Sequence, residues 1–233
     1  MKNKRERRIA MLLAIMMLVM NLIVSPVWAA PGDVAINEAN FPDANFRSYV
    51  RTNFDKDRNG DLSQGELDAV NKIMVVRKNI TTLKGVEHFA KLKSLYCMGN
   101  RLTALDVTKN PELKQLYCSS NQLTALNVRN NPKLEILSCD SNQLKALDVR
   151  NNPELDELYC VGNQLTTLDV TKNPELQLLR CGSNQLRALN VTKNPKLERL
   201  DCESNQLTAL AVTNNSKLEI LSCDSNQLKA LDV

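Results

Sequence analysis

Leu116–Ile136 reads LYCSSNQLTALNVRNNPKLEI, and the same 21-residue unit recurs along most of the chain. The cysteines fix the period: Cys97, Cys118, Cys139, Cys160, Cys181, Cys202 and Cys223 each lie 21 residues after the last. An asparagine follows three places after each cysteine, from Asn100 to Asn226. Leucines keep the register at Leu95, Leu116 and Leu137, and again at Leu102, Leu123 and Leu144. A unit this short cannot bury its own apolar side chains, so successive units must stack on one another. The chain is a solenoid.

A fixed period of about 20–29 residues with L-x-x-L-x-L/C-x-x-N-x-L is the leucine-rich-repeat signature. Leu95-Tyr96-Cys97 and its equivalents are expected as short parallel strands about 4.8 Å apart. Alternation turns Leu and Cys inward and the residue between them outward. The asparagine, leaving the strand at a tight turn, is expected to be buried and structural, its amide satisfying backbone groups. The second half of each unit, as in Leu105-Asp106-Val107, is too short and β-branched for a helix. Pro111, Pro132, Pro153, Pro174 and Pro195 block helix at each return. The predicted fold class is therefore a repeat solenoid of parallel β strands with short extended or 3-10 returns. Equivalent cysteines on adjacent parallel strands point the same way, poor geometry for a disulfide. No C-x-x-C suggests zinc, so the thiols are expected to be free and to act as small hydrophobes.

Composition narrows the function. Aromatics are 4% of the chain, so the core must be built from Leu, Val and Cys. The formal charge of +4 is matched by the first eight residues alone, which leaves the remainder near zero and gives no reason to expect a nucleic-acid partner. His88 is the single histidine, which removes the commonest general base from most of the chain. The repeats offer near-identical solvated side chains rather than a nucleophile–base pair, so no catalytic residue and no enzyme is expected.

Residues 1–29 read as a signal peptide: a basic start, an apolar run over Ile9–Val24 and small residues at Val27-Trp28-Ala29. Cleavage after Ala29 implies a secreted or surface location and a mature form with no membrane span. Residues 30–72 are expected to form a small helical cap, and 73–233 the solenoid. Pro42 and Asp43 suggest a helix start, with Phe46, Tyr49, Val50 and Phe54 on its apolar face. Next comes Asp55-Lys56-Asp57-Arg58-Asn59-Gly60-Asp61-Leu62-Ser63-Gln64-Gly65-Glu66, a match to D-x-[DN]-x-[DN]-G-x5-E, the EF-hand calcium loop. Calcium takes six to eight hard oxygens, so one loop must bring many to a point. Asp55, Asp57 and Asn59 would give side-chain oxygens, Asp61 its carbonyl, Ser63 a bridging water and Glu66 two oxygens. Gly60 permits the turn and Leu62 anchors the loop to the core. The alternative is an acidic turn that caps the first coil without metal. From Ile73 the pattern is repeat-like but atypical, with Lys78 in the asparagine position, as expected of a terminal repeat.

From Ile36 onward the sequence resembles exported leucine-rich-repeat proteins of Gram-positive bacteria. Asn37-Glu38, Asn40–Asp43 and Asn45–Arg47 carry their I-N-E-x-N-F-P-D-x-N-F-R motif, ahead of the calcium-type loop and the cysteine-containing repeats. The Leu83-Lys84-Gly85-Val86 junction and the helical cap are similar to those of the internalins. The resemblance implies surface display and recognition of a protein partner, of host or envelope origin. The outward strand positions then become the candidate binding face: Tyr96, Tyr117, Tyr159 and Arg180, with Met98 and Val161 beside them. Tyrosine is a typical interface anchor, though it also suits any strand surface. Other readings are a targeting or inhibitory segment of a larger envelope protein or enzyme, and a site on the basic back at Lys109, Arg129, Arg150, Lys172 and Lys193. Val233 stops inside a repeat with no cap after it. A truncated or uncapped array of this kind is expected to associate end to end.

Overall fold

The computed structural model describes residues 32–229 and 231–232; the signal-peptide reading of residues 1–29 and the terminal Val233 lie outside them. The elements, in order, are β1 (Val34–Ala35), α1 (Ala44–Asn53), β2 (Asp61–Leu62), α2 (Gln64–Ala69) and β3 (Lys72–Met74). A 3-10 turn at Val86–His88 precedes β4 (Ser94–Tyr96), β5 (Gln115–Tyr117), β6 (Ile136–Ser138), β7 (Glu157–Tyr159), β8 (Leu178–Arg180) and β9 (Arg199–Asp201). The last three are β10 (Leu210–Ala211), β11 (Ile220–Ser222) and β12 (Leu231–Asp232). Strands β3 to β9 and then β11 form one eight-stranded sheet in chain order. Every neighbouring pair in it is parallel and in register, as in Leu95↔Leu116↔Leu137. This is a parallel-strand solenoid of about seven turns with few helices.

Each strand starts one residue earlier than the sequence reading placed it. Leu95 is central, Tyr96 last, and Cys97 stands just past the strand, fully buried, its N–H still donating to Tyr117 O at 2.8 Å. A typical coil buries Leu113, Leu116, Cys118, Leu123, Leu126 and Val128, each removing an aliphatic or thiol side chain from water. At about 1.5–3 kcal/mol per buried aliphatic side chain, this layer is the main source of cohesion. The return segments hold turns, the 3-10 turn at Val86–His88 in the first coil and isolated pairing such as Asp106↔Asn127, with no α-helix among the described residues.

Two asparagine ladders bolt the coils together. Asn121 donates Nδ2 to Cys118 O in its own coil and to Cys97 O in the preceding one, at 3.0 and 3.1 Å. Its Oδ1 accepts from Leu102 N at 3.0 Å. Asn100 does the same for the atypical first coil, accepting from Lys78 N and Ile80 N, so Lys78 costs that coil no tie. The second ladder, Asn110, Asn131, Asn152, Asn173, Asn194 and Asn215, was not anticipated. Asn131 donates to Asn110 O and Val107 O at 2.8 and 3.0 Å, and the pattern repeats.

The cap packs on the first coil through aromatic rings. Helix α1 starts after Asp43, whose Oδ1 accepts from Asn45 N and Phe46 N. Asp43 is thus the cap residue and Pro42 lies outside the helix, one step from the predicted positions. The helix ends at Asn53, with Phe54 as its C-cap. Phe41 lies 5.9 Å from Phe46 and 6.3 Å from Phe89, and Phe54 lies 5.3 Å from Phe89. His88 sits half-buried 5.7 Å from Phe41, a packing role. The other oxygen of Asp43 accepts from Thr81 N and Oγ1 at 2.8 and 2.9 Å, which ties the helix start to the first coil. The first strand of the long sheet, β3, begins at Lys72.

Candidate functional site

The register of the sheet turns the repeat into columns of outward side chains. Column one runs Met74, Tyr96, Tyr117, Ser138, Tyr159, Arg180, Asp201 and Ser222, because those residues pair strand by strand. Tyr96 and Tyr117 stack at 4.8 Å between centroids with 8° between planes. Lys72 Nζ stands 4.9 Å over the Tyr96 ring. Tyr96 Oη donates to Gln115 Oε1 at 2.9 Å and Tyr159 Oη to Glu157 Oε2 at 2.7 Å, which fixes both rings. Burial, then the Glu157 hydrogen bond, pushes the Tyr159 phenol up to about 12.

Tyr96, Tyr117, Tyr159, Met98 and Val161 are all partly exposed on this face, and Met74, not singled out from sequence, is 48% exposed beside them. Arg180 is less free than expected. Its Nε donates to Asp201 Oδ2 at 3.1 Å, and Asp201 is itself buried. Gly182 explains how the pair fits: a Cβ there would come within 3.1 Å of Asp201 Oδ1 and Glu203 Cγ. Ser119 and Ser138 pair through their hydroxyls at 2.8 Å, so the face between Tyr117 and Tyr159 is polar. On the back, Arg129 and Arg150 both pair with Asp148, at 2.7 and 2.9 Å, and so are occupied by an internal partner.

The Asp55–Glu66 loop runs from the end of α1 into the first turn of α2, and Leu62 is fully buried as its anchor. Successive backbone turns are closed by side chains: Asp57 Oδ1 accepts from Asn59 N at 3.1 Å and Asn59 Oδ1 from Asp61 N at 2.7 Å. Asp55 Oδ2 accepts from Gly60 N at 3.2 Å, and Gly60 has φ 92°, which only glycine adopts without strain. Glu66 Oε1 accepts from Lys56 N at 2.6 Å and Oε2 from Ser63 N and Oγ at 2.9 and 2.8 Å. Ser63 caps α2 in return. Burial works against ionising Glu66, but the hydrogen bonds from Ser63 and Lys56 outweigh it and hold the carboxyl below its ordinary value. Asp55, Asp57 and Glu66 each offer an oxygen within 4.8 Å of the other two. Asp55 is buried, and its Oδ1 has no hydrogen-bond partner among the described residues. Three carboxylates and one orphaned buried oxygen fit a hard divalent cation. The loop strand β2 pairs antiparallel with β1, and Ile36 N donates to Gly60 O at 2.9 Å, so an N-terminal segment supports the loop.

No family model matches the chain, and no curated protein does either. Among solved structures, the functional domain of InlJ from Listeria monocytogenes, which includes a cysteine ladder, is 33% identical with a TM-score of 0.68. That alignment covers 86% of this chain and 49% of the other, so the chain spans about half the length of InlJ's domain. Internalin C2 from Listeria monocytogenes superposes with a TM-score of 0.77 at 22% identity, over 88% of this chain and 93% of that one. A leucine-rich-repeat protein of Leptospira interrogans is 29% identical over 65% of this chain and 42% of its own, with a TM-score of 0.61. What the chain shares with these neighbours is the leucine-rich-repeat solenoid.

Proposed function

We propose that the chain is an exported, surface-displayed module that binds a protein partner, of host or envelope origin, on the outward face of its long sheet and catalyses no reaction. The observation that carries this is the stacked Tyr96–Tyr117 pair, held by Gln115 and flanked by Lys72, Met74 and Met98 on a rigid parallel sheet. Rings fixed before binding lose little entropy on contact and supply large anchors. A plant receptor-kinase ectodomain with this architecture, 26% identical over 65% of the chain at a TM-score of 0.58, is in complex with CASPARIAN STRIP INTEGRITY FACTOR 2. That is a precedent for the fold, and the face of the present chain fits the same class of role. Export rests on residues 1–29, and no helix of the described residues is long and apolar enough to cross a membrane.

The cap completes the reading. Asp55, Asp57, Asn59, Asp61, Ser63 and Glu66 would hold a structural calcium ion, which would supply charge neutralisation for the crowded carboxylates; melting with calcium against chelator tests this. For the binding face, the test is a variant with Tyr96, Tyr117 and Tyr159 changed to Ser. Circular dichroism should be unchanged, because all three rings face outward. Affinity for a partner captured by the wild type should fall at least roughly tenfold, given that one anchor is worth about 2 kcal/mol. Unchanged affinity would move the site to the back.

A further inference from the structure

The sheet face is electrically polarised along its length: the outward positions are aromatic and apolar near the cap and acidic in the later coils. The first three rows, built on β3, β4 and β5, present Lys72, Lys93 and Lys114 at or beside the strands, and the one acid next to them, Glu112, is paired with Lys133. The sign reverses at the next strand. Lys114 Nζ pairs with Glu135 at 2.5 Å across the β5–β6 boundary, and from there the rows carry Glu135, Asp140, Asp156 and Glu157. Arg180 and Arg199 are the bases on the face beyond that boundary, and Arg180 is already committed to Asp201. The acids are crowded and only some are paired: Glu135 with Lys114, Asp201 with Arg180 and Glu175 with Lys196. Asp156 lies among Glu157, Glu135, Glu175 and Glu198, and its buried Oδ1 has no hydrogen-bond partner among the described residues. Asp201 is 6% exposed; one oxygen takes Arg180 and the other has none. Burial first, then these neighbouring carboxylates, hold Asp156 above its ordinary value.

We infer that the partner lays an extended basic segment across the later rows, from β6 onward, with its lysines and arginines directed away from the cap. This rests on the sheet face being the binding face, and adds which chemistry it takes and in which direction. A cationic side chain over Asp156 and Glu157 gains charge-assisted hydrogen bonds and relieves a like-charge repulsion the fold has already incurred. The basic, aromatic rows near the cap would repel the same segment, so one orientation wins. Rows β4 and β5 are left for apolar or acidic residues of the partner.

The probe is a fluorescent octalysine peptide, compared with octaglutamate, by anisotropy on the whole chain with hydrogen exchange to map contact. Octalysine should bind more tightly, lose affinity steeply with salt, and slow exchange over β6–β9. Asp156→Asn with Glu157→Gln should weaken it about tenfold, the loss of two partly exposed ion pairs. Lys72→Gln with Lys93→Gln should leave it bound or tighten it. Octaglutamate binding as well as octalysine, or no loss in the acidic double variant, overturns the inference. Protection confined to the Asp55–Glu66 loop overturns it too. Should the charge pattern prove irrelevant while the tyrosine variant still loses its captured partner, the binding face stands and this inference alone fails. Octalysine protecting the Asp148 side instead would sink both.

Discussion

Six or seven copies of a residue can hide a cost that one copy would not reveal. Ser120, Ser141, Ser183, Ser204 and Ser225 all adopt φ between 52° and 56°, in the left-handed region. The same position holds Gly99 and Gly162 in two other coils, at φ 66° and 67°. A left-handed L-residue costs roughly 1–2 kcal/mol, while glycine costs about 0.5–1 kcal/mol of extra chain entropy. The first effect should win, so each Ser→Gly should stabilise by a few tenths of a kcal/mol up to about 1. Gly162→Ser should do the reverse, since its Cβ would meet Ser141 only at 3.8 Å and the cost is conformational, not steric. Urea midpoints of Ser120→Gly and Gly162→Ser should move in opposite directions; movement the same way would remove backbone strain as the cause. At this scale the sequence was half legible. The ladder after each cysteine announced itself as an asparagine in fixed register. The second ladder did not, because Asn beside Pro looks like turn punctuation, and only the stacking brings Asn131 Nδ2 to the carbonyl of Asn110.

Elements carry the joint between cap and array. Helix α1, the loop and α2 were readable because capping, apolar spacing and ligand spacing are local signals. What was not local is that β1 supplies the loop strand with a partner, that Asp43 reaches Thr81, and that Gly85 lies against Phe41. The strands were misplaced by one residue because pairing, not periodicity, sets their ends. The joint gives the calcium proposal its readout. An ion on Asp55, Asp57 and Glu66 would clamp β2, and hence β1 and α1, onto the first coil through contiguous contacts. Calcium should therefore raise the melting temperature and slow exchange in α1 and β3, and Glu66→Gln should abolish most of that gain. A melting temperature indifferent to calcium and chelator rejects the metal and leaves an acidic turn. Acid should loosen the same joint from its other side. Burial raises the Asp43 carboxyl, but hydrogen bonds from Thr81, Phe46 and Asn45 outweigh it and hold it below its ordinary value. Its contribution is thus complete above about pH 4 and is lost as pH falls through the lowered value.

For the whole molecule, periodicity carried nearly everything about the core and little about the face. Inward positions must be alike in every coil to stack, so they advertise themselves; outward positions are free to differ, so the tyrosines could be assigned to the face but their stacking and ion pairs appear only once register aligns them. The cysteine column is the sharpest whole-chain consequence. All seven thiols are free, and six are fully buried. Desolvation raises the Cys97 thiol to about 12 and pushes Cys118, Cys139 and Cys160 well up as well. Thiolate is the reactive form, so a folded array should present almost none of it at neutral pH. Cys223, in the last coil, is only half-buried and so lies within reach of a reagent. In an array held by nearest-neighbour contacts, a coil exposes its thiol only when that coil opens, so labelling rates become a map of local stability. Without reductant, native protein should react with a thiol reagent at Cys223 first and at the interior cysteines far more slowly, whereas denatured protein should titrate all seven. A denatured count of one would mean three disulfides, which parallel in-register cysteines cannot form without distorting their strands, and it would overturn the packing of every coil at once.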